Sequence, residues 1–185
     1  MCAWAQSEIT HIEQGFHTRN NGVMPTLRTI GVYGFDRDTF LKALADAEVD
    51  LLLDVRQRRG VRGSEYAWAN AQRLQSALAE AGVGYTHMKE LAPTTEMREA
   101  QYREDERHGV GKRNRTALAP VYVERYTAEI LDQVNLEPIV KWIGSKNATL
   151  LCVERDPQAC HRSLLAERLQ AEFGFEVDHL QPQDS

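Results

Sequence analysis

The sequence predicts a three-layer α/β/α sandwich, Rossmann-like, around a mostly parallel sheet of about five strands. Three observations predict it. Residues 49–55 (VDLLLDV) are nearly all apolar, as a strand covered on both faces of a parallel sheet should be. Strand-like runs alternate with segments of helical spacing, the pattern of βαβ units with right-handed crossovers. The most functionally dense stretch, residues 149–169 (TLLCVERDPQACHRSLLAERL), itself reads as buried strand, polar turn and amphipathic helix.

The elements follow in order. Residues 1–26 show no sustained periodicity and carry turn signals at Asn20, Asn21, Gly22 and Pro25. They read as a loosely held extension whose Trp4, Ile12 and Phe16 could dock on the body. Residues 27–185 read as one α/β domain. Residues 27–33 form the first strand, Gly34 breaks it, and Asp36 is placed to cap a helix over 37–47. The strand 49–55 follows, then a basic, glycine-broken loop. Asn70 is placed to cap a helix over 71–81, which Gly82 ends. Residues 83–88 give a short third strand. Residues 96–106 are polar almost all round and read as a surface helix. The run 108–115 (HGVGKRNR) reads as a mobile basic loop. Helical spacing returns over 118–136, with a further turn at 138–143. The fourth strand is 149–153. A strong helix over 157–173 follows, with Asp156 as N-cap and Pro157 as first residue, and a last strand occupies 175–180.

Composition narrows the function classes. No apolar run approaches the roughly 20 residues that span a bilayer. The N-terminus lacks the basic start and apolar core of a secretory signal, so a cytoplasmic protein with no membrane partner is expected. Three cysteines make no disulfide framework. A net charge of −5 argues against non-specific wrapping of duplex nucleic acid, which depends on many phosphate contacts. Two local clusters run the other way: Arg56, Arg58, Arg59 and Arg62, and Arg107, Lys112, Arg113 and Arg115.

In open α/β sheets, sites form outside the carboxyl ends of the strands. The topology therefore gathers Gly31 to Gly34 with Tyr33, Asp54 and Arg56, His87 to Glu90, and Cys152 to His161 with Glu154 and Cys160, at one edge. Arg162 and Ser163 start the last helix, where unpaired N–H groups favour an anion, and a guanidinium binds phosphate through two parallel bonds. Arg56 is placed to supply a second. Asp54 and Glu154 end neighbouring strands. Side by side, they would form an acid/base pair; apart, they would neutralise the arginines. Cys160, beside His161 and Arg162, has the surroundings of an activated thiol, or of a small buried packing residue. His161 is a candidate base or ligand-orienting group. The spacing of Cys152, Glu154, Cys160 and His161 argues against zinc, with no CxxC pair and Cys152 inside a strand. Gly31 and Gly34 lack the rest of a dinucleotide fingerprint, so no cofactor is expected. Tyr33, Tyr66 and Trp68 are candidates for stacking on a base.

Four blocks resemble the uncharacterised domain-of-unknown-function family 488: TIGVYG (29–34), LLLDVRQRR (51–59), ELAPTTEMREA (90–100) and LLCVERDPQACHRSLLAE (150–167). The resemblance runs from about residue 29 to residue 180. It implies an α/β fold and a site at Asp54, Arg56, Glu154, Cys160, His161 and Arg162, with no settled reaction. Where the family often has Tyr-Glu or His-Ser between the two glycines of the first block, this chain has Val32 and Tyr33. Three functions fit these residues: a phosphate-binding cleft for a nucleotide or nucleic-acid ligand with acid/base catalysis, a non-catalytic nucleic-acid- or protein-binding module using the basic loops, and a thiol-based redox role through Cys160.

Overall fold

The computed structural model describes residues 26–183. The expected docking of Trp4, Ile12 and Phe16 lies outside them. Five strands form one sheet: β1 Thr26–Ile30, β2 Leu51–Asp54, β3 Gly84–His87, β4 Ala148–Leu151 and β5 Glu176–Leu180. Their order is β3-β2-β4-β1-β5, and every neighbouring pair is parallel. All five carboxyl ends therefore lie along one edge. β4 occupies the centre: Leu150 sits opposite Thr29 of β1 and Leu53 of β2. Every residue of β2 and β4 is buried, as continuous apolar runs require.

The two-residue alternation of a strand divides these apolar side chains between two faces. Leu51, Leu53 and Leu150 join one core cluster, and Leu52, Leu151 and Ile30 join the other. Helices α1 (Arg37–Asp46) and α2 (Ala71–Glu80) cover the second face with Phe40, Leu44, Leu74 and Leu78. The first face is covered by α4 (Pro120–Tyr126), α5 (Glu137–Ile143) and α6 (His161–Phe173), with Met97 of α3 (Thr95–Arg107). The result is the three-layer α/β/α sandwich. Among the described residues, no helix is long and apolar enough to cross a membrane.

Asp36 caps α1 as its position predicts, accepting from the Thr39 N–H at 2.8 Å. Four local readings change. Asn70 precedes α2 but does not cap it with its side chain; its Oδ1 instead accepts from the Val61 N–H at 2.7 Å, fastening the basic loop. The helical stretch 118–136 is shorter: α4 begins at Pro120 and passes into a π turn over Thr127–Leu131, where it ends. The basic loop 108–115 is tied down. Arg115 is buried and bonds Asp105 of α3 through two nitrogens, while Arg113 reaches Glu65 at 3.1 Å. The last helix begins at His161, not Pro157. Asp156 caps only a 3-10 turn, Pro157–Ala159, and Cys160 then breaks the spiral with extended backbone. That break places Cys160 at the N-cap and buries His161, Arg162 and Ser163 against the sheet edge.

Candidate functional site

The loop that leaves the carboxyl edge of β2 is held by a buried ion pair and tied to β3. The sequence Asp-Val-Arg ends β2, so Asp54 and Arg56 point to the same side. Arg56 donates to both Asp54 carboxylate oxygens, from Nε at 2.8 Å and Nη2 at 2.7 Å, and to the Ala69 carbonyl at 2.9 Å. Asp54 accepts a further bond from the Tyr85 hydroxyl at 2.7 Å. Burial works against the Arg56 charge, but Asp54 outweighs it and holds the guanidinium above its usual range. A buried charge is tolerated when fully paired in this way.

Glu154 has a different arginine. Its Oε1 lies 3.8 Å from Nη1 of Arg115, which also holds Asp105. The expected repulsion between Asp54 and Glu154 is therefore replaced by two separate pairings. The sequence places Arg115 in a mobile basic loop and gives no sign of Asp105 as its partner, because α3 buries polar side chains, which leave no apolar stripe. Gln101 on the same face donates to Asp105 at 2.9 Å and accepts from the Ala119 N–H at 2.8 Å.

Between these pairs lies a cavity of about 330 Å³. Arg56, Arg58, Arg62, Arg98 and Arg115 line it, and Glu154 is the one carboxylate among its lining residues. Arg98 donates to Gln57 Oε1 and to the Tyr102 hydroxyl, both neutral partners. Among the described residues, Arg58 and Arg62 have no ion-pair partner. Tyr33, Tyr102 and Tyr122 complete the wall. Tyr33 meets Tyr66 at 5.0 Å between ring centroids, and Arg113 lies 5.3 Å over both rings. Trp68 instead packs on Phe40 in the core. Burial pushes the Tyr122 phenol well above its usual range, so it remains an O–H donor at neutral pH. Its place on a helix face of apolar spacing hid it from the sequence reading.

The floor holds a cluster of Cys152, Cys160 and His161, all buried. β4 ends at Leu151, so Cys152 sits in the turn and not within the strand. The His161 Nε2 is 3.0 Å from the Val55 carbonyl and donates to it, which turns Nδ1 to the two sulfurs at 3.8 and 3.9 Å. Burial raises the Cys152 thiol, and a shared proton with Cys160 raises it further. Burial also opposes ionisation of Cys160, yet the Cys152 S–H, Arg162 and His161 together draw its thiol well below the usual range. Burial lowers His161, but the Cys160 charge more than offsets it and holds the imidazole above its ordinary value.

Arg162, Ser163 and Gly31 stand behind the wall. Arg162 is fully buried and donates to the Glu154 carbonyl at 2.7 Å and the Arg155 carbonyl at 3.0 Å. Its Nε also points to the Thr29 hydroxyl of β1 at 3.4 Å, so the guanidinium ties β1 to the turn after β4 and is not part of the cavity lining. Ser163 donates to the Cys160 carbonyl at 2.9 Å. A Cβ on Gly31 would lie 2.0 Å from the Glu154 carbonyl oxygen, so this glycine lets two loops touch. Of the expected site residues, Tyr33, Arg56, Glu154 and His161 line the cavity, Cys160 lies just beneath it, and Asp54 buttresses Arg56.

The profile of DUF488, a domain of unknown function, matches residues 36–169. The chain belongs to this family. No curated protein and no solved structure matches the chain. The DUF488 match takes in the Asp54–Arg56 pair, α3 and the whole Cys152–Arg162 turn, so both walls of the cavity are family territory. The block 29–34, with Gly31 and Tyr33, lies outside it.

Proposed function

We propose that this DUF488 protein binds a phosphorylated ligand, a nucleotide or a nucleic-acid end, in the cavity at the carboxyl edge of its sheet. One observation carries the reading. In a chain of net charge −5, five arginines converge on one cavity against a single lining carboxylate. Asp54 and the Asp105–Glu154 pair offset Arg56 and Arg115, which leaves Arg58, Arg62 and Arg98 to attract an anion. Guanidinium forks suit phosphate oxygens, and Arg98 is held ready by Gln57 and Tyr102. Tyr33 and Tyr102 offer rings to a base, and the Tyr122 hydroxyl offers a donor. Glu154, on the wall, is the group placed for acid/base work on a bound ester. Asp54, Arg162 and Ser163 act here as positioning residues.

Calorimetric titration tests this with a nucleoside, its 5′-monophosphate, and an oligonucleotide with and without a 5′-phosphate. The phosphorylated member of each pair should bind at least about tenfold more tightly, and Arg98→Ala should erase that difference. The two phosphorylated probes separate a free nucleotide from a nucleic-acid end. Equal affinity for both members of each pair, or an unchanged preference in Arg98→Ala, contradicts the reading.

A further inference from the structure

The cluster at the cavity floor has a geometry that the anion-binding reading does not use. We propose that Cys152, Cys160 and His161 form a Cys2His site for Zn2+, with the fourth coordination position open to the cavity. In a tetrahedral site with Zn–S near 2.3 Å and Zn–N near 2.0–2.1 Å, a sulfur and a nitrogen ligand lie about 3.6 Å apart. Here His161 Nδ1 lies 3.8 Å from the Cys152 sulfur and 3.9 Å from the Cys160 sulfur. All three ligand atoms fall within 4.8 Å of one another. Little movement is needed to close them around an ion.

The surroundings also match. A metal-binding histidine donates its remote ring N–H to a carbonyl or carboxylate, which fixes the ring and its tautomer. His161 Nε2 does this with the Val55 carbonyl at 3.0 Å. The ring is further braced by Tyr126, edge-on at 5.2 Å. Two thiolates and an imidazole select a soft or borderline ion over Mg2+ or Ca2+. Thiolates and a neutral imidazole are the ligand forms, so binding would release protons and tighten as the pH rises. Cys152 and His161 line the cavity, and Glu154 Oε2 is 3.7 Å from the Cys152 sulfur. The open position thus faces the ligand cavity beside a carboxylate. Three protein ligands and one open position are the composition of a catalytic zinc site, not a closed structural one.

The test uses the full chain. Elemental analysis of the purified protein should find about one zinc per chain. After removal of the metal by a chelator, Co2+ should give a thiolate-to-cobalt band and the intense visible bands of a tetrahedral site, which Zn2+ abolishes. One equivalent of Zn2+ should protect two of the three thiols from alkylation. Cys152→Ser should weaken Zn2+ binding by more than the roughly 10–100-fold that loss of an outer-shell partner costs. Cys160 is buried beside Arg162, so its substitution risks unfolding; His161→Gln is the second variant, and circular dichroism checks its fold. The proposal fails if Co2+ keeps its octahedral spectrum, if Zn2+ leaves thiol alkylation unchanged, or if mass spectrometry finds Cys152 and Cys160 joined as a disulfide. Phosphate binding measured in chelator reads Arg58, Arg62 and Arg98 without the metal, so the two proposals fail separately.

Discussion

At the scale of single residues, the site rests on close contacts that leave no slack. Gly31→Ala would set a methyl carbon 2.0 Å from a backbone oxygen that cannot swing away. Urea unfolding should show a loss of about 3 kcal/mol, the upper end of overpacking costs. Arg162→Ala would strip donors from the Glu154 and Arg155 carbonyls and should also cost about 3 kcal/mol or more. A stable Arg162→Ala variant that had merely lost ligand affinity would return Arg162 to the cavity wall. His179 adds a pH dependence. Its Nδ1 meets the Thr29 hydroxyl at 2.7 Å, and burial together with Arg162 lowers its pKa below 6.5. The unfolded chain then binds the proton more readily, so this residue's contribution is complete above pH 6.5 and falls as the pH drops below it. Melting curves across that range should show a decline that His179→Asn flattens.

At the scale of elements, the apolar patterning was legible and the polar burial was not. The strands, α1 and α2 follow from runs such as LLLDV and from the Asp36 cap, because burying leucine is written directly in the sequence. The start of α6 was misplaced because Asp156 and Pro157 form a valid capping pair, and tertiary contacts of Cys160 and Arg162 overrode it. α3 was legible as a helix, but its inward face was not, since Gln101 and Asp105 look like solvent-facing residues until Arg115 arrives from the next loop. That pairing makes a prediction. Asp105→Ala should leave Arg115 buried without its main partner and cost about 3 kcal/mol. Hydrogen exchange should then quicken across residues 108–119, and unchanged protection there would remove Asp105 as the anchor of the loop.

At the scale of the whole molecule, the parallel sheet turns a scattered set of residues into one site. The strand order brings the ends of β1, β2 and β4 together, and each contributes a loop to the cavity. Sequence alone pointed to this edge through the general rule for open α/β sheets, and four of its candidates, Tyr33, Arg56, Glu154 and His161, line the cavity there. It could not rank the arginines, because only packing shows that Arg162 faces inward while Arg58 and Arg98 face the cavity. It also argued against zinc by placing Cys152 inside the strand, whereas β4 ends at Leu151 and the turn brings the Cys152 thiol beside Cys160 and His161.

The most direct measurement is a nuclear magnetic resonance titration of the labelled protein with a nucleoside 5′-monophosphate, read beside the unphosphorylated nucleoside. Saturable shifts confined to the lining of the cavity, around Tyr33, Arg58, Arg98, Tyr122 and Glu154, and produced by the phosphorylated ligand alone, are what the arginine-lined cavity predicts. Shifts that cluster away from the carboxyl edge of the sheet, or that the nucleoside produces equally, would contradict it.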